Sequence, residues 1–189
     1  MRVTRHPYEV DGWGVGELWI GEGRVVVAHD PPSAAASIAA TAPRPETGPT
    51  ETTPKGTPGA PTETLAVKSG REENGLVPEL LQRLHRYFAG EPVSFADVPL
   101  DEDWGSPFQA ALAGALRSVP WGQTVSYGEL SARAGRQRAA RAAGTFCAEN
   151  RFSLFLPCHR VVSAGGIGGY GELGTEYKRR LLALEGTTL

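Results

Sequence analysis

Residues 41–64, TAPRPETGPTETTPKGTPGAPTET, are rich in Pro, Thr and Gly and hold no large apolar side chain. Such a stretch cannot bury enough surface to offset its own ordering entropy. Any core must therefore be assembled from the chain on either side of it. The segment reads as a mobile insertion, with a partner-docking tether as the alternative. The flanks, within 189 residues, suffice for one domain or two small ones sharing a core. We divide them into an N-terminal α/β unit, residues 1–100, and a second, mainly helical unit, residues 101–189.

In the first unit, GVGELWIGEGRVVVAHD (residues 14–30) alternates short apolar runs with glycine, which predicts two strands turning near Gly21 to Gly23. Leu80, Leu81, Leu84, Tyr87 and Phe88 recur at helical spacing, and Gly90 is placed to end that helix. His85 lies on or beside its apolar face and reads as a partly buried helix histidine, not a metal ligand.

Charge is distributed unevenly. The chain carries a formal charge of -2, yet Arg117 to Arg160 holds seven arginines against two glutamates. Leading into that stretch, Ser106-Pro107 opens a helix, FQAALAGALRSV. Ser126 and Gly135 bracket a shorter one, YGELSARAG, and RQRAARAAGTFCAEN follows as another. Two short helices divided by a glycine turn, the second bearing arginines, match a helix-turn-helix. Small residues at 139, 140, 142, 143 and 144 would let its backbone approach a groove, where Arg136, Arg138 and Arg141 reach phosphates or bases.

Beyond this pair, FSLFLP predicts a buried strand or extended segment ending at Pro157, from which Cys158 emerges beside His159 and Arg160. A cysteine becomes a strong nucleophile when a base or positive surroundings favour its thiolate. His159 is a candidate base and Arg160 adds charge. Local sequence alone leaves three readings open: an inert buried thiol, a Cys-His hydrolase, and a nucleophile of another kind. A zinc site from Cys147, Cys158, His159 and His85 does not fit paired-ligand spacing. With two cysteines, no apolar leader and no membrane-length apolar run, the chain reads as a cytoplasmic protein with reduced thiols.

Pro157-Cys158-His159-Arg160-Val161 resembles the signature of the O6-alkylguanine-DNA alkyltransferases, also called methylated-DNA-protein-cysteine methyltransferases. The likeness extends through PFQAALAGALRSVPWGQTVSYGELSARAG, RAARAAG, Asn150, GGYG and KRRLLALEG, spanning residues 105 to 186, and YFAGEPVSF resembles the end of the family's N-terminal domain. This resemblance implies a ribonuclease-H-like α/β scaffold followed by a winged-helix-like alkyltransferase domain. It also implies a suicide repair protein that moves an alkyl group, mainly methyl, from O6 of guanine in double-stranded DNA onto its own cysteine after flipping the base.

By position, Cys158 is similar to the family's acceptor, His159 to the residue that takes its proton through a water, and Glu185 to the carboxylate orienting that histidine. Tyr127 is similar to the family's donor to the purine ring, and Arg141 to the arginine that fills the vacated stack. The resemblance implies a slim DNA-facing surface from Ala139, Ala140, Ala142 and Ala143, with Arg138 and Arg160 as further DNA or substrate contacts. It implies structural support from Asn150, a pocket wall from Tyr170 and a hydrogen bond to guanine from Ser163. It implies no cofactor, no metal, no membrane and no obligate protein partner, hence a monomer. Two departures stand out: Arg151 replaces the proline that commonly follows the asparagine, and the N-terminal half lacks the cysteines of the zinc site found in some relatives.

Overall fold

A computed structural model describes residues 2–22, 25–33 and 75–189. It is a mixed α/β structure. Strands β1 (Val3–Val10), β2 (Gly14–Gly21) and β3 (Val25–Ser33) form an antiparallel sheet in that order. The β2–β3 pair agrees with the sequence reading, whereas β1 was not foreseen. Its burial alternates residue by residue, but only Tyr8 on the inner face is buried, and the letters VTRHPYEV carry no matching apolar–polar alternation for the sequence to display. Pro7 in mid-strand suits this edge position, where the missing N–H is not needed by a second neighbour.

One face of β2, through Leu18 and Ile20, packs inward with no exposure. Helix α1 (Leu76–Phe88) covers that core with Val77, Leu80, Leu84, Tyr87 and Phe88. Each such side chain contributes roughly 1.5–3 kcal/mol on burial. Gly90 ends the helix in the left-handed conformation, at φ 84°.

The outer edge of β3 is where the rest of the chain attaches. Val26 pairs in parallel with Leu100, and three residues on His29 pairs with Phe152. The His29 amide donates to the Arg151 carbonyl at 2.8 Å. Its ring bonds the Ser153 carbonyl and the Tyr8 hydroxyl, each at 2.6 Å. Because a carbonyl only accepts, Nδ1 carries the proton and Nε2 accepts from Tyr8.

Four more helices follow: α2 (Pro107–Arg117), α3 (Tyr127–Arg133), α4 (Ala140–Ala148) and α5 (Gly174–Leu184). Two-residue strands β4 (Val125–Ser126) and β5 (Val161–Val162) pair in parallel between them. Ser106 caps α2, and Ser126 with Glu129 forms a reciprocal capping box on α3, both at the foreseen positions.

Two expectations need correction. Helix α4 begins at Ala140, not near Arg136: Gly135 and Arg138 both adopt positive φ, 84° and 62°, so residues 136–139 turn instead of winding. The FSLFLP segment is not a strand but a tight turn. Leu154 sits at φ 70°, and the Leu156 amide returns to the Phe152 carbonyl at 2.8 Å. The expected insertion at 41–64 lies outside the described residues. Among them, no helix is long and apolar enough to cross a membrane.

Candidate active site

The turn at 152–156 delivers Cys158 to the start of a short 3-10 turn, Cys158–Arg160, whose three side chains all point into the protein. Cys158 is 6% exposed. Asn150, just past α4, donates through Nδ2 to Cys158 Sγ at 3.0 Å and to the Leu156 carbonyl at 2.9 Å, while its Oδ1 accepts from the Phe152 amide at 2.9 Å. One side chain therefore fixes both ends of the turn and touches the sulfur. Burial pushes the Cys158 thiol above its ordinary range; the Asn150 bond and the Lys178 ammonium oppose that rise. At rest the sulfur is protonated and already furnished with what a thiolate needs.

His159 is wholly buried, and its Nε2 lies 2.7 Å from Glu185 Oε1 at the end of α5. Glu185 is a dense acceptor. Oε1 also takes the Tyr87 hydroxyl at 2.7 Å and Arg160 Nη2 at 3.0 Å, and Oε2 takes Arg160 Nε at 2.9 Å and the Gly122 amide at 3.2 Å. Burial alone would raise this carboxyl, but the bonds and charges of His159 and Arg160 hold it at about 2. An ionised Glu185 fixes the tautomer: Nε2 bears the proton and Nδ1 bears the lone pair. Nδ1 is buried and has no hydrogen-bond partner among the described residues. Burial also lowers the imidazole below its usual value, against the pull of Glu185, so the ring is a neutral base with a free acceptor atom.

Gly122 meets this carboxylate at φ 72°, and a Cβ there would fall 2.9 Å from the Glu185 carbonyl oxygen. Backbone approach this close requires glycine.

Lys178 of α5 is fully buried, with Nζ on the Val161 carbonyl at 2.6 Å and the Gly169 carbonyl at 3.1 Å. Burial depresses its pKa, and the Cys158 and Cys147 thiols draw it back up. It ties the segment after Cys158 to the glycine loop. Tyr127, half-buried at the start of α3, stands near the same sulfur. Burial raises its phenol, reinforced by the nearby Cys147 and Cys158. Gly168, at φ 73°, brings the loop against the Tyr127 ring: a Cβ would lie 3.3 Å from both Cε2 and Oη. Tyr170, also near Cys158, is buried and stacked nearly parallel on Tyr177 with centroids 6.1 Å apart.

The structure thus brings together Cys158, His159, Glu185, Asn150, Tyr127 and Tyr170 from the sequence-derived set. Arg141 and Ala140 are exposed on α4, and Arg138 is exposed on the turn before it, with Ala139 at the helix cap. Other placements differ from expectation. Arg160 faces Glu185 and the Val119 carbonyl, 2.6 Å away, and is too buried to meet DNA. Ala143 has no exposure and packs in the core, so it is not part of the slim outer face. The Ser163 hydroxyl donates to the Gly166 carbonyl at 2.8 Å within its own loop. Arg151, in place of the usual proline, clasps the Asp101 carbonyl at 2.7 Å and lies over the Phe152 ring.

Tyr87, Gly122 and Lys178 were not anticipated as parts of the site. Tyr87 carried only a core signal. Lys178 had a legible cue, since it shares the i, i+3, i+4 face with Leu181 and Leu182. No group of His, Cys, Asp and Glu among the described residues is arranged to hold a metal ion.

Residues 107–187 match the family pattern described as 6-O-methylguanine DNA methyltransferase, DNA binding domain. A methylated-DNA–protein-cysteine methyltransferase of Mycobacterium leprae is 43% identical over 114 residues, 60% of this chain and 67% of the relative. Among solved structures, an O6-methylguanine methyltransferase of Mycobacterium tuberculosis superposes at TM-score 0.65 with 30% identity, covering 97% of this chain and 93% of that one. The Mycobacterium tuberculosis OGT solved in complex with DNA gives 0.64 at 32% identity, covering 96% and 92%.

Proposed function

The chain belongs to the methylated-DNA–protein-cysteine methyltransferase family and acts in DNA repair by alkyl transfer, and we propose that Cys158 is the acceptor of an alkyl group, mainly methyl, carried on O6 of guanine in duplex DNA. The observation that carries this reading is the array from Asn150 to Cys158 Sγ at 3.0 Å and from His159 to Glu185 at 2.7 Å, with His159 Nδ1 left open.

In this reading the Cys158 proton passes through a bridging water to His159 Nδ1, and Glu185 stabilises the imidazolium that results. The sulfur then attacks the alkyl carbon in line. The S–C bond forms as the C–O6 bond breaks, and the electron pair leaves on the purine. Tyr127, whose raised phenol keeps its proton at rest, donates toward a purine ring nitrogen and stabilises the departing guanine. The product thioether has no carbonyl for water to attack, so each molecule acts once.

O6 of a stacked guanine cannot reach a sulfur buried this far, so the base leaves the helix at a cost of a few kcal/mol, smaller where pairing is already damaged. Exposed Arg141 on α4 is suited to take its place in the stack, with Ala140 allowing close approach and Arg138 on a phosphate. Entry from the minor groove gives little sequence preference. In fold terms we read the sheet with α1 as a ribonuclease-H-like scaffold through residue 100. From residue 101, α3 and α4 are the helix-turn-helix of a winged-helix-like unit that acts as a cytoplasmic monomer.

Duplex DNA with a labelled O6-methylguanine should leave one methyl per protein on the Cys158 peptide, with stoichiometric exhaustion. Cys158→Ala should abolish transfer while retaining DNA binding. Label on another residue, or repeated turnover, would refute the assignment.

A further inference from the structure

Glu185 has five donors, and one of them comes from the far side of the sequence. Tyr87 lies on α1, which packs on the N-terminal sheet, and it is 1% exposed. Its hydroxyl donates to Glu185 Oε1 at 2.7 Å, the same oxygen and the same distance that His159 Nε2 uses. It also lies 3.3 Å from Nε2 itself. The ring is held by Trp121, with centroids 5.1 Å apart in an edge-on arrangement, and by Phe88 and Phe95.

A buried tyrosine hydroxyl needs some partner, and any carbonyl would serve that need. Here the partner is the atom that determines the basicity of the imidazole. Two donors on one carboxylate oxygen compete: the more density Oε1 gives to Tyr87, the less it offers to the imidazolium form of His159. The other groups facing His159 are Arg160 on its own turn, Lys178 and Glu185 of the α5 region, and Cys158. Arg160 and Lys178 are cations locked by ion pair and carbonyl bonds, so they are fixed contributions. Tyr87 is the neutral member of the Glu185 shell that a single-atom change removes.

We propose that Tyr87 is a positioning residue of the proton relay, its hydroxyl on Glu185 Oε1 tempering the charge that His159 sees and thereby keeping the ring neutral and able to accept the Cys158 proton. The inference rests on the alkyl-acceptor reading above. It makes α1 part of the reacting apparatus and not only part of the scaffold.

Tyr87→Phe tests it cleanly, because the ring packing is kept and Glu185 retains four donors. Single-turnover methyl transfer to Cys158 is followed across pH for wild type and variant, with the His159 ring titration read in parallel by NMR on histidine-labelled protein. The acid limb of the rate profile and the ring titration should both move to higher pH by about half to one unit, the scale of one hydrogen bond to a charged group. Unmoved titration, a rate lowered equally at every pH, or movement toward lower pH overturns the proposal. A wild-type protein that places no methyl on Cys158 refutes the underlying reading instead.

Discussion

Asn150 Nδ2 and Cys158 Sγ are 3.0 Å apart, and the same carboxamide binds the Leu156 carbonyl and the Phe152 amide. The proposed nucleophile is therefore held by the residue that holds its turn. Chemistry and local fold are coupled through one side chain, and loss of either is felt by the other.

Asn150→Ala should raise the Cys158 thiol further, because the donor that favours its thiolate is gone. It should also leave the Leu156 carbonyl and Phe152 amide without their side-chain partner. We expect a transfer rate reduced at least about tenfold at neutral pH and stability lower by roughly 1–3 kcal/mol. Thiol reactivity against pH and urea denaturation measure the two effects separately.

Glu185 gives a pH signature of stability. Its folded pKa, about 2, lies below the ordinary 4.5, so the unfolded chain binds more protons between those values. Its contribution, roughly 3 kcal/mol, is present above the unfolded pKa and is lost as pH falls toward 2. Glu185→Gln should remove this dependence and cost about 3–5 kcal/mol at neutral pH, since Arg160 is left buried without its anion. Denaturation midpoints across an acid series measure both.

His29 acts in a different window. Burial lowers its pKa from 6.5 to about 4, against the Ser153 carbonyl bond that favours the charged ring. The folded ring stays neutral where the unfolded one is protonated, so stability falls as pH drops from 6.5 toward 4, by roughly 3 kcal/mol in all. His29→Gln should flatten that decline, seen as a denaturation midpoint less sensitive to pH over the same range.

Gly168→Ala would add a Cβ 3.3 Å from the Tyr127 ring and hydroxyl at a backbone φ of 73°. Both strain and displacement of Tyr127 follow. Methyl transfer should slow by at least about tenfold, with thermal stability reduced by about 1 kcal/mol or more. Duplex affinity, measured separately, should change little.

Arg141→Ala should weaken duplex binding, because the side chain that fills the vacated stack is removed, and should leave the slope of log affinity against log salt nearly unchanged, since Arg138 and not Arg141 is assigned to a phosphate. Arg141 is exposed on α4, so the melting temperature should stay unchanged. Titrations at several salt concentrations decide the point.

Local rules made much of this molecule legible in advance. Ser106, Ser126, Gly90 and Gly135 act through contacts within a few residues, and the sequence displays those directly. Cys158 and His159 stand out locally as a candidate nucleophile and base, whereas only the resemblance marks Glu185, whose bond to His159 spans 26 residues. Arg160 misled because an arginine in a basic stretch reads as a surface charge, while its carboxylate partner lies 25 residues away. Tyr87 and Glu185, 98 residues apart, left no local trace of their bond. The turn at Leu154 was hidden for another reason: a leucine at positive φ violates the propensity from which a strand was inferred.

The burial of Cys158 has a further implication for selectivity. A small electrophile drifting in from bulk solvent finds a protonated sulfur, 6% exposed and hydrogen-bonded by the carboxamide of Asn150. Haloacetamides and similar free reagents should therefore consume this protein slowly. Discrimination rests on how the carbon is delivered, not on how reactive it is.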